Sequence, residues 1–171
     1  YFFVNNINAI DLADEWAYQS STGKIFLHSS SNPGNTISFL RTDTTVSVEN
    51  ASNVNIKNIS IKYARIVGLS VKNGSSVLVD SVDVSHSGAD GVAFSAATNS
   101  TFSNNSISNV NWSGLISNAT CNNLSINNNS IANIGNESFG KSKTFIGIDC
   151  NSPYCQIENN KITGTGYSGI I

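Results

Sequence analysis

The sequence predicts an all-β fold, a solenoid of stacked coils in which short strands run parallel to one another. Segments of the form apolar–x–x–x–x–apolar recur from residue 56 to residue 162. They begin at Ile56, Val79, Phe102, Ile126 and Ile157, at spacings of 23, 23, 24 and 31 residues. Asn and Ser supply 26 and 28 of the 171 residues, and many of them lie between these segments. A fixed period of this length is typical of a solenoid.

A glycine followed by an aliphatic residue is a second landmark in the same register. It lies seven residues after the second apolar position in four of the five copies, at Gly68, Gly91, Gly114 and Gly169. In the remaining copy the offset is sixteen, from Ile131 to Gly147, which predicts a nine-residue insertion at 136–144. Two landmarks that keep one register over five copies identify a true repeat.

The length of the repeat selects among solenoids. Helical repeats are about 33 residues or longer and need long apolar helix faces, which this sequence lacks. A coil of three short β-strands fits, each stacked about 4.8 Å from its counterpart one period later. Asn pairs such as Asn104-Asn105 and Asn159-Asn160 fit the bends, because Asn tolerates the left-handed backbone region. Stacked Asn amides are also expected to hydrogen-bond along their column.

This coil resembles the right-handed parallel β-helix superfamily, which includes pectate lyases, polygalacturonases and many secreted carbohydrate-active enzymes. The resemblance covers about residues 46–171 and implies about five coils with a repeat of 22–24 residues. It also implies that the Asn bend separates the second and third strands, and that the strand beginning with Gly opens the sheet that usually carries the active groove.

Residues 1–45 do not repeat, and they predict a β-rich segment that flanks or caps the helix. Its expected elements are a strand at Tyr1–Asn8, a hairpin of Trp16–Tyr18 and Lys24–Leu27, and a strand at Thr36–Leu40. Asp14–Tyr18 with Thr22–Phe26 is similar to a segment found beside β-helices in large secreted bacterial glycosidase-like proteins. Terminal coils need a cap, and the repeat stops in mid-coil, so we expect the remainder of a longer chain at one or both ends.

Charge and hydropathy exclude two classes of partner. The net charge is −2, charged residues make up 12% of the chain, and no basic run exceeds one residue, so we expect no nucleic acid partner. No apolar stretch approaches the ~18 residues of a membrane-spanning helix, so we expect no membrane span. The resemblance and the low charge favour a secreted or cell-surface location, extracellular or periplasmic.

The three cysteines leave two interpretations open. Cys121, Cys150 and Cys155 could all be small core residues, or Cys150 and Cys155 could form a disulfide across the corner at 151–154. Their spacing does not suit zinc, and the helix offers no acidic cluster for calcium, so neither a metal nor another cofactor is expected.

Asp90 is the first candidate catalytic residue. It precedes Gly91 in the string from Ser85 to Val92, and this resembles the Asp-Gly of polygalacturonases, in which the Asp is a catalytic acid. Glycoside hydrolysis needs two carboxyl groups about 5–9.5 Å apart. Sheet spacings put Asp149 roughly 14 Å away, which predicts no pair. Alternatively, the Asp90 carboxylate caps backbone N–H groups of the Gly88–Gly91 turn.

Arg65 and His86 are the other two catalytic candidates. Arg65 could pair with Asp90 or bind a uronate carboxylate, and the alternative is a solvated surface side chain. His86 could act as an acid or base near neutral pH, and the alternative is a surface ring whose column partners are Tyr63 and Asn109.

Trp112, Tyr167 and Tyr63 are candidate substrate-binding residues, because aromatic rings in the loops before the Gly-led strands could stack on sugars. Alternatively, these rings cover the edge of the helix. The sequence thus predicts a domain that binds polysaccharide or oligosaccharide. If it is an enzyme, the resemblance implies a glycoside hydrolase or a polysaccharide lyase. The alternative is a non-catalytic β-helix, either a scaffold, an adhesin-like surface domain or a carbohydrate-binding module.

Overall fold

The computed structural model describes residues 7–13, 15–35, 37, 42–135 and 145–171. The chain divides into two compact units, Tyr1–Ser38 and Phe39–Ile171. Among the described residues, no helix has the length and apolarity needed to span a membrane.

The smaller unit contains the predicted hairpin, formed by antiparallel strands β1 (Trp16–Gln19) and β2 (Lys24–Leu27). Residues Ile7–Ala9 form a single turn of 3-10 helix, so the strand predicted to continue through Asn8 is wrong there. Residues 1–6 of that predicted strand lie outside the described residues. The strand predicted at Thr36–Leu40 also lies outside them, apart from Ile37.

The larger unit is a parallel β-solenoid of five coils with three strands each, preceded by β3 (Thr42–Glu49). Coil 1 consists of β4 (Asn55–Lys57), β5 (Ser60–Lys62) and β6 (Ala64–Lys72), and coil 2 of β7 (Leu78–Asp80), β8 (Asp83–Ser85) and β9 (Asp90–Ser95). Coil 3 consists of β10 (Thr98–Ser103), β11 (Ser106–Val110) and β12 (Leu115–Ser117). Coil 4 consists of β13 (Asn122–Asn127), β14 (Ser130–Ile134) and β15 (Ile146–Cys150), and coil 5 of β16 (Gln156–Glu158), β17 (Lys161–Thr165) and β18 (Ser168–Ile170). The predicted fold class and the number of coils are confirmed.

Equivalent strands of successive coils form three parallel sheets. Sheet 1 is β4-β7-β10-β13-β16, sheet 2 is β5-β8-β11-β14-β17, and sheet 3 is β3-β6-β9-β12-β15-β18. The register of sheet 1 stacks the first apolar position of each repeat on the next, in the order Ile56, Val79, Phe102, Ile126, Ile157. The predicted insertion at 136–144 lies outside the described residues, and β15 resumes the expected register, with Leu115 opposite Ile148.

The core is a set of columns of like residues. Phe102 and Ile126 in sheet 1, Ile107 in sheet 2, and Val92 and Leu115 in sheet 3 are all 0% exposed. Burial of one such side chain stabilises the fold by about 1.5–3 kcal/mol, so the repetition of these columns is the main source of stability.

The bend between sheets 1 and 2 carries the predicted asparagine ladder. Asn104, Asn128 and Asn159 adopt left-handed φ values of 54–56°. The next residue in each coil is an Asn whose amide points inward. Asn129 Oδ1 accepts hydrogen bonds from the backbone N–H of Asn105 (2.9 Å) and from its Nδ2 (3.2 Å), while Asn129 Nδ2 donates to Phe102 O (3.0 Å). The expected bonding between stacked amides is confirmed, and it satisfies backbone groups that the bend removes from the ladders.

The glycine landmark has a packing cause. A Cβ on Gly114 would lie 2.5 Å from the carbonyl oxygen of Gly147 in the next coil and 2.9 Å from Cγ2 of Ile131 in sheet 2. Gly91 is equally confined, against Gly114 and Ile107. Because Gly has no side chain, these strands of sheet 3 can begin in close contact with sheet 2 and with the next coil.

The cysteines divide between the two interpretations. Cys150 and Cys155 form a disulfide, with Cα atoms 6.6 Å apart, across the corner at 151–154. Cys121 is a buried free thiol in the core, 1% exposed. The disulfide lies directly after β15, so it restrains the loop that leaves sheet 3 in coil 4.

Candidate functional site

A groove on the outer face of sheet 3 spans coils 2 to 4 and has a cavity volume of about 580 Å³. Coil 2 contributes Asp90, Ala93, Phe94 and Ser95 to its lining. Coil 3 contributes Trp112, Ser113, Ile116, Ser117, Asn118 and Ala119, and coil 4 contributes Asp149 and Asn151. Ala93, Ile116 and Asp149 are neighbours in register, so they form one outward-facing column across the groove.

Asp90 faces the groove because β9 begins irregularly. The N–H groups of Gly91 and Val92 both donate toward the next coil, to the carbonyl oxygens of Ser113 and Gly114, each at 2.9 Å. In a regular strand successive N–H groups point in opposite directions. The irregularity turns Val92 into the core and leaves the Asp90 side chain on the outer face. Irregularities of this kind commonly redirect a side chain at a site.

The Asp90 carboxyl group is nearly enclosed, since the residue is only 9% exposed. The pKa of this carboxyl group is raised to about 6, and burial is the largest cause. Hydrogen bonds from Ser113 lower the pKa, and the charge of Asp149 makes a smaller contribution that raises it. Asp90 Oδ1 accepts the backbone N–H of Ser113 at 3.1 Å. The carboxylate thus does cap a backbone N–H, but of the next coil rather than of the Gly88–Gly91 turn. A carboxyl group with this pKa exchanges its proton readily near neutral pH.

Asp149 shares the groove with Asp90. Sheet spacings predict that it is too remote to act with Asp90, whereas the structure has both carboxyl groups lining one groove and interacting electrostatically. Asn151 Nδ2 donates a hydrogen bond of 2.6 Å to Asp149 Oδ1. One sequence signal places Asp149 on the outer face of sheet 3: it lies two residues after Gly147, as Ala93 lies two residues after Gly91.

Trp112 lies at the edge of the groove and is 45% exposed. It precedes Gly114 by two residues, as Tyr167 precedes Gly169 and Phe145 precedes Gly147. The backbone N–H of Tyr167 donates to Phe145 O at 2.9 Å, which stacks coils 4 and 5 in this column. Tyr167 is 59% exposed but lies outside the groove lining. Phe145 is an aromatic residue that the sequence prediction omits, although the same offset from glycine identifies it.

Tyr63 and His86 lie in another column, at the bend between sheets 2 and 3. Both have left-handed backbones, with φ values of 62° and 56°, and their rings are 5.4 Å apart at 40°. His86 and Tyr63 are thus neighbours in one column, as the sequence predicts, and their rings are tilted against each other. Neither residue lines the groove, so Tyr63 does not extend the column of Trp112 and Tyr167.

Arg65 is paired away from the groove. Its Nε and Nη2 atoms both lie 2.5 Å from Asp43 Oδ1, and both side chains are 59% exposed. Asp43 belongs to β3, one coil before Arg65. Of the alternatives for Arg65, the structure thus shows an exposed surface side chain, in an ion pair with Asp43 rather than with Asp90.

The fold and the groove define a β-helix domain with an acidic site on one sheet, and comparison with known proteins agrees on the class. Residues 44–171 match the family model described as a right handed beta helix region. The chain belongs to this family. No significant match to a curated protein or to a solved structure was found. Within the described part of the chain, no group of three or more His, Cys, Asp or Glu residues is arranged to hold a metal ion.

Proposed function

We propose that this β-helix binds a polysaccharide in the groove of sheet 3 and hydrolyses a glycosidic bond there, as a relative of the pectate-lyase-like superfamily. One observation carries the proposal: two carboxyl groups, Asp90 and Asp149, share a groove edged by the exposed ring of Trp112. Aromatic faces and amide groups are the surfaces that sugars contact, and paired carboxyl groups are what glycoside hydrolysis requires.

The two acids take different roles because their surroundings differ. Asp90 is buried, and because its pKa is about 6, a fraction of the molecules still carry a proton on it near neutral pH. It donates that proton to the glycosidic oxygen as the bond to the sugar carbon breaks. Asp149 is half-buried and accepts a hydrogen bond from Asn151, so it takes a proton from the water whose oxygen bonds to that carbon. The sum is hydrolysis, with both carboxyl groups restored once Asp149 passes its proton back.

A location outside the cytoplasm is part of the proposal. The disulfide between Cys150 and Cys155 supports it, because stable disulfides are typical of oxidising compartments.

The test is to incubate the protein with neutral and acidic polysaccharides and to follow reducing ends and unsaturated products together. We expect reducing ends without unsaturated products, and a loss of about 100-fold or more in Asp90→Asn and Asp149→Asn. Asp43→Asn is the matched control, because it also removes a carboxylate from sheet 3 but outside the groove.

Each other outcome selects a different class. Unsaturated products indicate a lyase. Binding without any product, lost on Trp112→Ala, indicates a carbohydrate-binding module. No binding and no product from folded protein contradict the proposal and favour a structural or adhesin-like β-helix.

A further inference from the structure

We infer that the groove of sheet 3 selects neutral polysaccharides and discriminates against uronate polymers. This inference rests on the proposed function and names the substrate class of the same site. It follows from the charges that face the groove, from where nearby cations are paired, and from the groups left to contact the sugar.

Both charged side chains in the described lining are acidic. Asp90 and Asp149 project into one cavity and interact electrostatically across it. A uronate carboxylate in that cavity adds a third negative charge, in surroundings less polar than water. Like charges repel more strongly in a protein groove than in solvent, because the groove is less polar than water.

Two cations of coil 1 pair with carboxylates outside the groove. Arg65 pairs with Asp43 on β3, and Lys62 lies 3.9 Å from Asp83 in sheet 2. Lys72 lies beside Ser95 at the rim, one coil before the groove, and Glu49 occupies the next position in the same column. The negative charge of Glu49 therefore offsets the positive charge of Lys72 on the side away from the groove.

The remaining polar groups suit hydroxyl groups rather than carboxylates. Asn118 Nδ2 donates to Ser95 Oγ at 2.9 Å, and Asn151 Nδ2 donates to Asp149. Amide and hydroxyl groups both donate and accept, as sugar hydroxyl groups do. A uronate carboxylate is recognised best by the fork of donors on an Arg side chain. Arg65 does not supply this fork to the groove, because it is paired with Asp43.

The experiment compares matched pairs of oligosaccharides by titration calorimetry. Glucan, galactan and mannan oligosaccharides are each measured beside the same oligosaccharide oxidised at C6 to the uronate. We expect the oxidised partner of the bound pair to bind at least 10-fold more weakly at low salt, a factor that corresponds to about 1.4 kcal/mol. The factor should shrink above about 0.1 M salt, where the screening length falls below about 10 Å.

Two variants assign the cause. Asp149→Asn should narrow the ratio between the neutral and the uronate affinity, whatever it does to each affinity, and Asp83→Asn in sheet 2 should leave that ratio unchanged. Uronates that bind as tightly as their neutral partners overturn the inference alone, and loss of that binding in Lys72→Ala would identify the cation responsible. If no oligosaccharide of either kind binds to the folded protein, the proposed function fails and this inference fails with it.

Discussion

Replacement of Asp90 by Asn should stabilise the protein at neutral and alkaline pH. The folded carboxyl group has a pKa raised to about 6 from its ordinary value of 3.8, mainly by burial. Its contribution to stability is therefore complete below the unfolded value and is lost as the pH rises through the folded one. An Asn side chain never ionises, and its Oδ1 can still accept the N–H of Ser113, so the variant avoids this loss.

The magnitude follows from the two pKa values. A difference of about two units, at 1.36 kcal/mol per unit, gives about 3 kcal/mol between pH 4 and pH 7. Across this window, the wild-type protein should therefore lose about 3 kcal/mol of unfolding free energy relative to Asp90→Asn. The reason is that the side chain at position 90 ionises in the wild type and cannot ionise in the variant. Below pH 4 the two proteins should unfold at similar denaturant concentrations.

The assay is urea unfolding followed by circular dichroism at one-unit steps from pH 4 to pH 8. Asp149→Asn is the informative comparison, because burial is the largest cause of the raised pKa and most of the pH dependence should remain. Parallel pH profiles for wild type and Asp90→Asn would refute the reasoning. So would an Asp90→Asn variant less stable than wild type at pH 8.

Three further substitutions test the packing of the coils by the same unfolding assay. Gly114→Ala should lower the unfolding free energy by about 3 kcal/mol, because its Cβ would collide with the Gly147 carbonyl oxygen, and an unchanged value would contradict the close approach. Asn129→Ala should also cost about 3 kcal/mol through unsatisfied buried backbone groups, while Asn128→Gly at the exposed bend should cost about 1 kcal/mol or less. Ser87→Ala should stabilise by about 1 kcal/mol, since Ser87 Oγ is buried without a hydrogen-bond partner, and destabilisation would reveal an unseen partner.

The repeating part of the fold follows from the sequence because each coil repeats the same physical problem. Phe102 and Ile126 occupy one column because both fill the same space in successive coils. Asn104 and Asn128 adopt the same left-handed bend, which few other residues tolerate. Translation by one period therefore predicts position, burial and bend together.

The site is less predictable because it depends on side chains that do not repeat. Asp149 lies two coils and three positions away from Asp90, yet both line one groove, and no repeat of the sequence marks these two acids as partners. Arg65 binds Asp43, which lies in the chain before the first recognised repeat and so has no column to reveal it. Tyr63 lies in the column of His86, whereas the residue of coil 1 in the column of Trp112 is Ile66, which lies within β6.

Because the coils stack at a constant spacing, two surface groups are separated along the stack by a whole number of coils. Asn105 and Asn129 occupy equivalent places 24 residues apart. Deletion of residues 104–127 would join Ser103 to Asn128 in an equivalent bend and keep every later column in register. Asp149 would then move from two coils to one coil from Asp90, a step of about 4.8 Å. Gain or loss of a single coil can thus reset the spacing of two acids without any substitution at either one.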